Sequence, residues 1–273
     1  MQKFAALLAY NGTDYCGWQK QKGSAALGRP SLQQTIEEVL SQITQEEVRV
    51  IGSGRTDAGV HAYGQVMHFV IQNKTWDPFV LWKGLNSLLP RAIRIHQVQE
   101  VEVGFHAQKS AIKKTYFYRI LQGPTFLPEM DAFGWWIKKD LDWKAMSEAL
   151  KKIEGQHDFE ALQASGANPG PTIRTLFFTQ VEKSIIPLLN SDKYSQIIIS
   201  VQGSGFLKQM VRSIVGMLVA IGESKSSIDE LFDIVEKKQR SRLAPTAPGR
   251  GLFLKEVNYP DLTWDFSQRL GRV

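Results

Sequence analysis

Residues 3–103 and 113–259 carry the same order of hydrophobic periodicities, and this repeat constrains the fold more than any other feature of the chain. In the first stretch, residues 3–10 read as a strand that Asn11-Gly12 breaks. Residues 22–30 read as a loop. Ser31 opens a helix as a good N-cap, with Leu32, Ile36, Val39, Leu40 and Ile43 on one face. Residues 48–52 and 64–71 read as strands, 76–88 as a helix stopped by Pro90, and 93–103 as an alternating strand. In the second stretch, residues 113–121 form a strand with Tyr116, Tyr118 and Ile120 on one face, and 141–153 an amphipathic helix. Strands at 172–181 and 194–201, a long apolar helix at 206–221, a further helix at 228–237 and a closing strand at 251–259 follow. Both stretches read β-α-β-β-α-β, with one extra helix in the second. That order predicts an α+β protein of two similar split βαβ (ferredoxin-like) halves, with antiparallel or mixed sheets and helices on one face. We expect an N-terminal domain of residues 1–104 and a C-terminal domain of residues 105–273, meeting within 104–112. A cleft between them is the default binding site.

The composition is consistent with two packed domains. The chain has 273 residues, 43% hydrophobic and 22% charged, which excludes a disordered polypeptide. Its one cysteine, Cys16, excludes an internal disulfide and any multi-cysteine metal site, and suits a reducing compartment. The longest apolar stretch, 214–221, is far short of the ~20 residues that a membrane-spanning helix requires. Residues 4–10 are apolar but run into Asn-Gly-Thr-Asp with no small-residue cleavage site, so no signal peptide is read there and a cytoplasmic protein is expected. The net charge is +6, and it is uneven: residues 1–104 hold 10 basic and 9 acidic side chains, whereas 105–273 hold 23 and 18. Most such surpluses are solvated faces, but this one also fits a polyanionic partner, and its spread argues against a basic tail.

One stretch stands out chemically. Gly52-Ser53-Gly54-Arg55-Thr56-Asp57-Ala58-Gly59-Val60-His61 is a glycine-punctuated loop between two strands. The plain reading is a tight turn in which Asp57 caps local amides. The sharper reading is a functional loop, since a turn needs only one or two glycines and no flanking Arg-Thr-Asp. His61 and His157 invite a metal or acid–base reading, but five histidines and one cysteine without ligand spacing make loop hydrogen bonds the better account. No phosphate-loop or dinucleotide fingerprint is present, so neither metal nor organic cofactor is expected.

Gly54 to His61 resembles the catalytic motif of the tRNA pseudouridine synthase A family. The resemblance runs in family order along residues 3–260. It includes Tyr10-Asn11-Gly12, Gly17-Trp18-Gln19-Lys20-Gln21, Leu85-Asn86 with Leu89-Pro90, and Phe105-His106-Ala107. It continues through Lys114-Thr115-Tyr116-Phe117-Tyr118, His157-Asp158-Phe159, Thr172-Ile173-Arg174-Thr175, Met210-Val211-Arg212 with Val215-Gly216, and Gly251-Leu252-Phe253-Leu254. The resemblance implies cofactor-free isomerisation of uridine to pseudouridine at positions 38 to 40 of the tRNA anticodon stem-loop, by a homodimer. It implies that Asp57 is the catalytic carboxylate, with Arg212 its partner and Tyr116 the active-site tyrosine. Tyr116 would stack on the displaced base, and its hydroxyl is a candidate base for the C5 proton. Arg55 is implied to help displace the target nucleotide and Leu252 to line the uracil pocket. A base within a stem must leave the stack before a carboxylate reaches its glycosidic bond.

The residue chemistry agrees with those roles. An aspartate is ionised at neutral pH and can act as nucleophile and then leaving group, at ribose C1′ or uracil C6, or assist a glycal route. An arginine in a helix that is apolar nearly all round needs a partner, whether for catalysis or for the fold. Taken without the motif, Tyr116 and Leu252 are core residues, as Tyr118 remains, and Lys208 is a solvated lysine. Three departures from the family pattern are the longer loop at 22–30, Gln108 where arginine is usual, and Asn11 for a usual aspartate. A non-catalytic tRNA-binding module, a synthase for other RNA sites and a two-carboxylate glycosidase are the rival readings. The glycosidase lacks its second carboxylate in the loop.

Overall fold

Ser31 and Asp77 decide where the helices of the first repeat begin. A computed structural model of the chain describes residues 1–20, 28–166, 169–187 and 193–264. The Ser31 hydroxyl accepts from the Gln34 amide, and helix α1 runs Leu32–Thr44, ending at Gln45 in a left-handed conformation with φ 59°. The Asp77 carboxylate accepts from the amides of Phe79 and Val80, so helix α2 runs Pro78–Leu88 and begins two residues later than the periodicity suggests. Each cap satisfies amides that have no partner inside the helix, worth about 1 kcal/mol. Of the apolar stripe expected on α1, Leu32, Ile36 and Leu40 are fully buried. Each stabilises the fold by roughly 1.5–3 kcal/mol.

The strands of this repeat are β1 (Gln2–Tyr10), β2 (Ile51–Gly52), β3 (His61–Ile71) and β4 (Ile93–Glu100). Their order is β4-β1-β3-β2 and every pairing is antiparallel. β3 therefore slots between β1 and β2, which α1 connects, and this is the split βαβ arrangement. Strand β1, hydrogen-bonded on both sides, buries Phe4, Ala5, Ala6, Leu8 and Tyr10. The register Phe4↔Phe69 and Ala6↔Met67 puts buried residues of both strands on one face, and a one-residue slip would move that set to the opposite face. Strand β2 keeps only Ile51 and Gly52 of the five residues expected.

The second repeat begins with β5 (Lys113–Gln122), β6 (Trp135–Ile137), helix α3 (Trp143–Lys151) and β7 (Gly155–Asp158). It continues with β8 (Ile173–Ile185), β9 (Ser195–Gly203), α4 (Met210–Gly222), α5 (Glu230–Glu236) and β10 (Leu252–Asn258). The strand order is β10-β5-β9-β8-β7, with β6 added parallel to β5. The four strands expected from periodicity thus take the same order as in the first repeat. The short strands β6 and β7 carry too few residues to show a period. Helix α4 starts at Met210 rather than 206 because Gln209 is left-handed, with φ 60°.

The chain forms two compact units. One is Lys113–Lys255; the other is Met1–Ile112 together with the chain from Glu256. The division falls at the end of the 104–112 stretch in which we expected the junction, and the C-terminal stretch returns to the first unit. Several interactions hold it there, among them the following. The Ile112 amide donates to Asn258 O at 2.9 Å, the Tyr259 hydroxyl donates to Ala107 O at 2.6 Å, and the Tyr259 ring packs on Phe105 with centroids 5.2 Å apart. No helix among the described residues is long and apolar enough to cross a membrane.

Candidate active site

The Asp57 loop is built by side chains on either side of it in the sequence. From the far side, Gln65 on β3 is fully buried, accepts from the Ser53 hydroxyl at 2.5 Å and donates to Gly54 O at 3.0 Å. From the near side, the Tyr10 hydroxyl at the end of β1 meets the Thr56 hydroxyl at 2.8 Å. Burial pushes the Tyr10 hydroxyl far above its ordinary pKa, more than its bonds to Thr56 and Gln65 lower it, so it stays protonated. The Trp18 amide donates to Thr56 O at 3.0 Å, and the Val60 amide closes a turn on Asp57 O at 3.2 Å. Gly17, with φ +110°, passes so close that a Cβ there would lie 2.6 Å from Thr56 O and 3.1 Å from the Asp57 carbonyl carbon. Among the loop's own glycines only Gly59 has positive φ, at 74°.

The result is a loop whose backbone is held on both sides. Thr56 is buried, Asp57 is half-buried and Arg55 is exposed. Asp57 and Arg55 thus share one rigid support. His61 is buried and its Nδ1 accepts from the Gly12 amide at 3.2 Å, a loop hydrogen bond as expected. His157 likewise bonds Glu236 at 3.0 Å and Glu154 O at 3.1 Å. Among the described residues no cluster of three or more His, Cys, Asp or Glu side chains is placed to hold a metal ion.

The other three candidates lie in the second unit, with Arg212 and Leu252 flanking the segment that Tyr118 holds and Tyr116 two positions before Tyr118 on β5. Arg212 sits on α4, where the chain 245–248 runs against the helix. Gly216 admits the Pro245 carbonyl where a Cβ would strike it. The Ala247 amide donates to Arg212 O at 3.1 Å, and the Arg212 Nε donates to Ala247 O at 2.7 Å. One edge of the guanidinium is thereby fixed, leaving the fork geometry of the other nitrogens oriented. The Tyr118 hydroxyl donates to Pro248 O at 2.8 Å, and a Cβ on Gly251 would lie 2.5 Å from the Tyr118 ring. Tyr118 therefore seats the turn that leads into Leu252, the buried first residue of β10. Burial drives the Tyr118 hydroxyl far up from its ordinary pKa, against the smaller pull of the Arg212 and Arg250 charges. Tyr118 is fully buried, as a core residue should be.

Tyr116 shares that strand face, pairs with Val201 and is 7% exposed. Phe206 meets its ring edge-on, with centroids 5.1 Å apart and planes at 82°. Lys208 is exposed, as a solvated lysine would be. The supports Gln65, Tyr10, Gly17 and the 245–248 segment escaped the sequence reading. Tyr10 and Gly17 carried a signal there, as parts of the Tyr10-Asn11-Gly12 and Gly17-Trp18 motifs. The longer loop at 22–30 lies largely outside the described residues.

Comparison with known proteins gives the family. A family model described as tRNA pseudouridine synthase matches residues 6–108 and 149–260, one segment in each repeat. The tRNA pseudouridine synthase A of Thermoanaerobacter sp. (strain X514) is 38% identical over 259 residues, covering 95% of this chain and 100% of that protein. The tRNA pseudouridine synthase A 2 of Clostridium tetani is 39% identical over 251 residues, covering 92% and 96%. The tRNA pseudouridine synthase A of Streptococcus mutans serotype c is 36% identical over 262 residues, covering 96% and 100%.

Proposed function

The chain belongs to the tRNA pseudouridine synthase A family and is a pseudouridine synthase, and we propose that it acts at positions 38 to 40 of the anticodon stem-loop with Asp57 as its catalytic carboxylate. The observation that carries the role of Asp57 is its loop, anchored through Gln65, Tyr10 and Trp18 while the carboxylate stays half-buried. Such anchoring is what a positioned nucleophile needs, since catalysis depends on geometry held before the substrate arrives.

The reaction is an isomerisation and needs no external reactant. The bond from uracil N1 to ribose C1′ breaks, a bond from C5 to C1′ forms, the C5 proton leaves, and N1 gains a proton. Asp57 adds to C1′ or to C6, or assists a glycal route. Arg212, with Nε fixed on Ala247 O, is the arginine that the family resemblance pairs with that carboxylate. Tyr116 stacks on the turned base, and its side-chain oxygen is the candidate base for the C5 proton, giving up its own hydroxyl proton as it accepts that one. Exposed Arg55 helps extrude the nucleotide, and Leu252 contributes an apolar wall for uracil. The enzyme works in the cytoplasm as a homodimer without a cofactor.

The test is tritium release from tRNA carrying 5-tritiated uridine, with the modified position mapped. Wild type should release tritium at positions 38 to 40. Asp57→Asn should release none while binding tRNA within about tenfold, roughly 1.4 kcal/mol. Substantial turnover by Asp57→Asn removes Asp57 from the mechanism, and release at other positions overturns the site assignment.

A further inference from the structure

Two basic residues of the second unit stand beside Tyr116 with no part in the chemistry above. Lys114 lies two positions before Tyr116 on β5, so the two side chains share a face about 7 Å apart. Arg174 lies on β8, across the turn that follows β9. That turn links them. Lys114 pairs with Gly203, and Gly203 pairs in turn with Leu176 of β8. Ser204 is pinned to Thr175 by two hydrogen bonds, from its amide to Thr175 O at 3.0 Å and from the Thr175 amide to its hydroxyl at 3.1 Å. Gly205 then passes the Arg174 side chain, where a Cβ would lie 3.6 Å from its Nε, and Phe206 meets the Tyr116 ring. The same short turn thus touches both Arg174 and Tyr116.

The two cations are held together against their charge. Both are half-buried. Burial, and then the neighbouring Arg174 charge, hold the Lys114 ammonium down at about 8. Burial also lowers Arg174, whose Nη1 donates to Ile173 O at 2.6 Å. A desolvated pair of like charges costs folding energy, and an anion placed between them removes that repulsion. The guanidinium fork suits a tetrahedral oxyanion, with the ammonium as a second point of attachment.

We propose that Arg174 and Lys114 bind one phosphate of the tRNA backbone beside the nucleotide that Tyr116 receives. The clamp rests on the synthase reading and adds to it a means of registering the target. Phosphate contacts fix position without reading sequence, so a clamp here would hold the strand while the base is displaced.

The experiment measures anticodon stem-loop binding across a salt series, with each backbone phosphate in turn replaced by a neutral methylphosphonate. For wild type, one replacement near the target should weaken binding about tenfold and flatten the salt dependence by about one charge. Arg174→Gln should bind about tenfold more weakly, raise KM more than it lowers kcat, and be indifferent to that same replacement. Lys114→Met should show the same indifference in smaller measure, and it checks the assignment should Arg174→Gln unfold. Additive losses for variant and replacement, or no sensitive phosphate near the target in wild type, overturn the clamp while tritium release by wild type leaves the synthase reading standing. Absence of tritium release from any tRNA overturns that reading and the clamp with it.

Discussion

Replacing Gly17 by alanine tests whether the Asp57 loop is positioned from outside itself. The new methyl group meets two costs. At φ +110° a residue with a Cβ is strained by about 1–2 kcal/mol. Its Cβ would also sit 2.6 Å from Thr56 O and 3.1 Å from the Asp57 carbonyl carbon, both backbone atoms that cannot rotate away. Overpacking of this kind costs about 1–3 kcal/mol. The sum, roughly 2–5 kcal/mol, is a large part of the 5–15 kcal/mol that holds a typical domain together. The strain is relieved by moving the Thr56–Asp57 peptide about 0.8 Å, from 2.6 Å to an ordinary contact near 3.4 Å. A displacement of about 1 Å at a catalytic group costs on the order of a hundredfold in rate. We therefore expect Gly17→Ala to lower kcat for tritium release about a hundredfold at saturating tRNA, with tRNA affinity within about threefold of wild type. Urea unfolding should show the loss of stability. Gly28→Ala is the control: Gly28 also has positive φ, at 66°, but no atom of the described residues lies within 4 Å of the added Cβ. It should cost about 1 kcal/mol and leave kcat unchanged. Wild-type kcat in Gly17→Ala, or an equal loss in Gly28→Ala, would refute positioning of Asp57 by this contact.

Two further outcomes follow from named groups. Burial, then the Lys3 charge, then His106, whose ring centre is 4.8 Å away, lower His68 from 6.5 to about 4. The unfolded chain takes up that proton near pH 6.5 and the folded chain only near pH 4, so stability should fall as pH drops through this window. Protonation of Nδ1 also ends the 3.1 Å bond that it accepts from the Ala107 amide. The loss should be roughly 1–2 kcal/mol after allowance for solvent screening. Urea midpoints at pH 7.5 and 4.5 should differ less in His68→Gln than in wild type, and equal slopes would remove His68 as the cause. The two tyrosines of β5 should separate in function. Tyr118→Phe strands the Pro248 carbonyl and should cost about 1–2 kcal/mol of stability with kcat within tenfold. Tyr116→Phe should lower kcat at least about a hundredfold, as loss of a general base does. The reverse pattern in kcat would exchange their roles.

Hydrophobic periodicity is a local property, and what it governs was legible in the chain. The amphipathic stripe of α1, the alternation of β5 and the almost wholly apolar α4 each name their element. Side chains that cap, such as Ser31 and Asp77, set the helix starts to within a few residues. The motif around Asp57 was legible because its residue types are costly unless used. Shorter elements were not. β6 and β7 span three and four residues, and what makes them strands is the hydrogen bonding of β5 and β8 beside them.

What only the tertiary structure decided is how distant residues support the site. Nothing in the sequence says that Gln65 turns inward to hold Ser53 and Gly54, since a glutamine in a strand is ordinarily a surface residue. Nor does it say that Ala247 fixes Arg212, or that the chain from Glu256 returns to the first unit through Tyr259 and Ala107. Those pairings join positions 35 and 152 residues apart, and a contact between them pays its loop-closure entropy only once the whole sheet is in place. The sequence by itself thus determined the order of elements and pointed to the candidate reactive groups, because both are written in neighbouring residues. The tertiary structure decided their supports, because buried polar groups must find partners wherever the fold brings them.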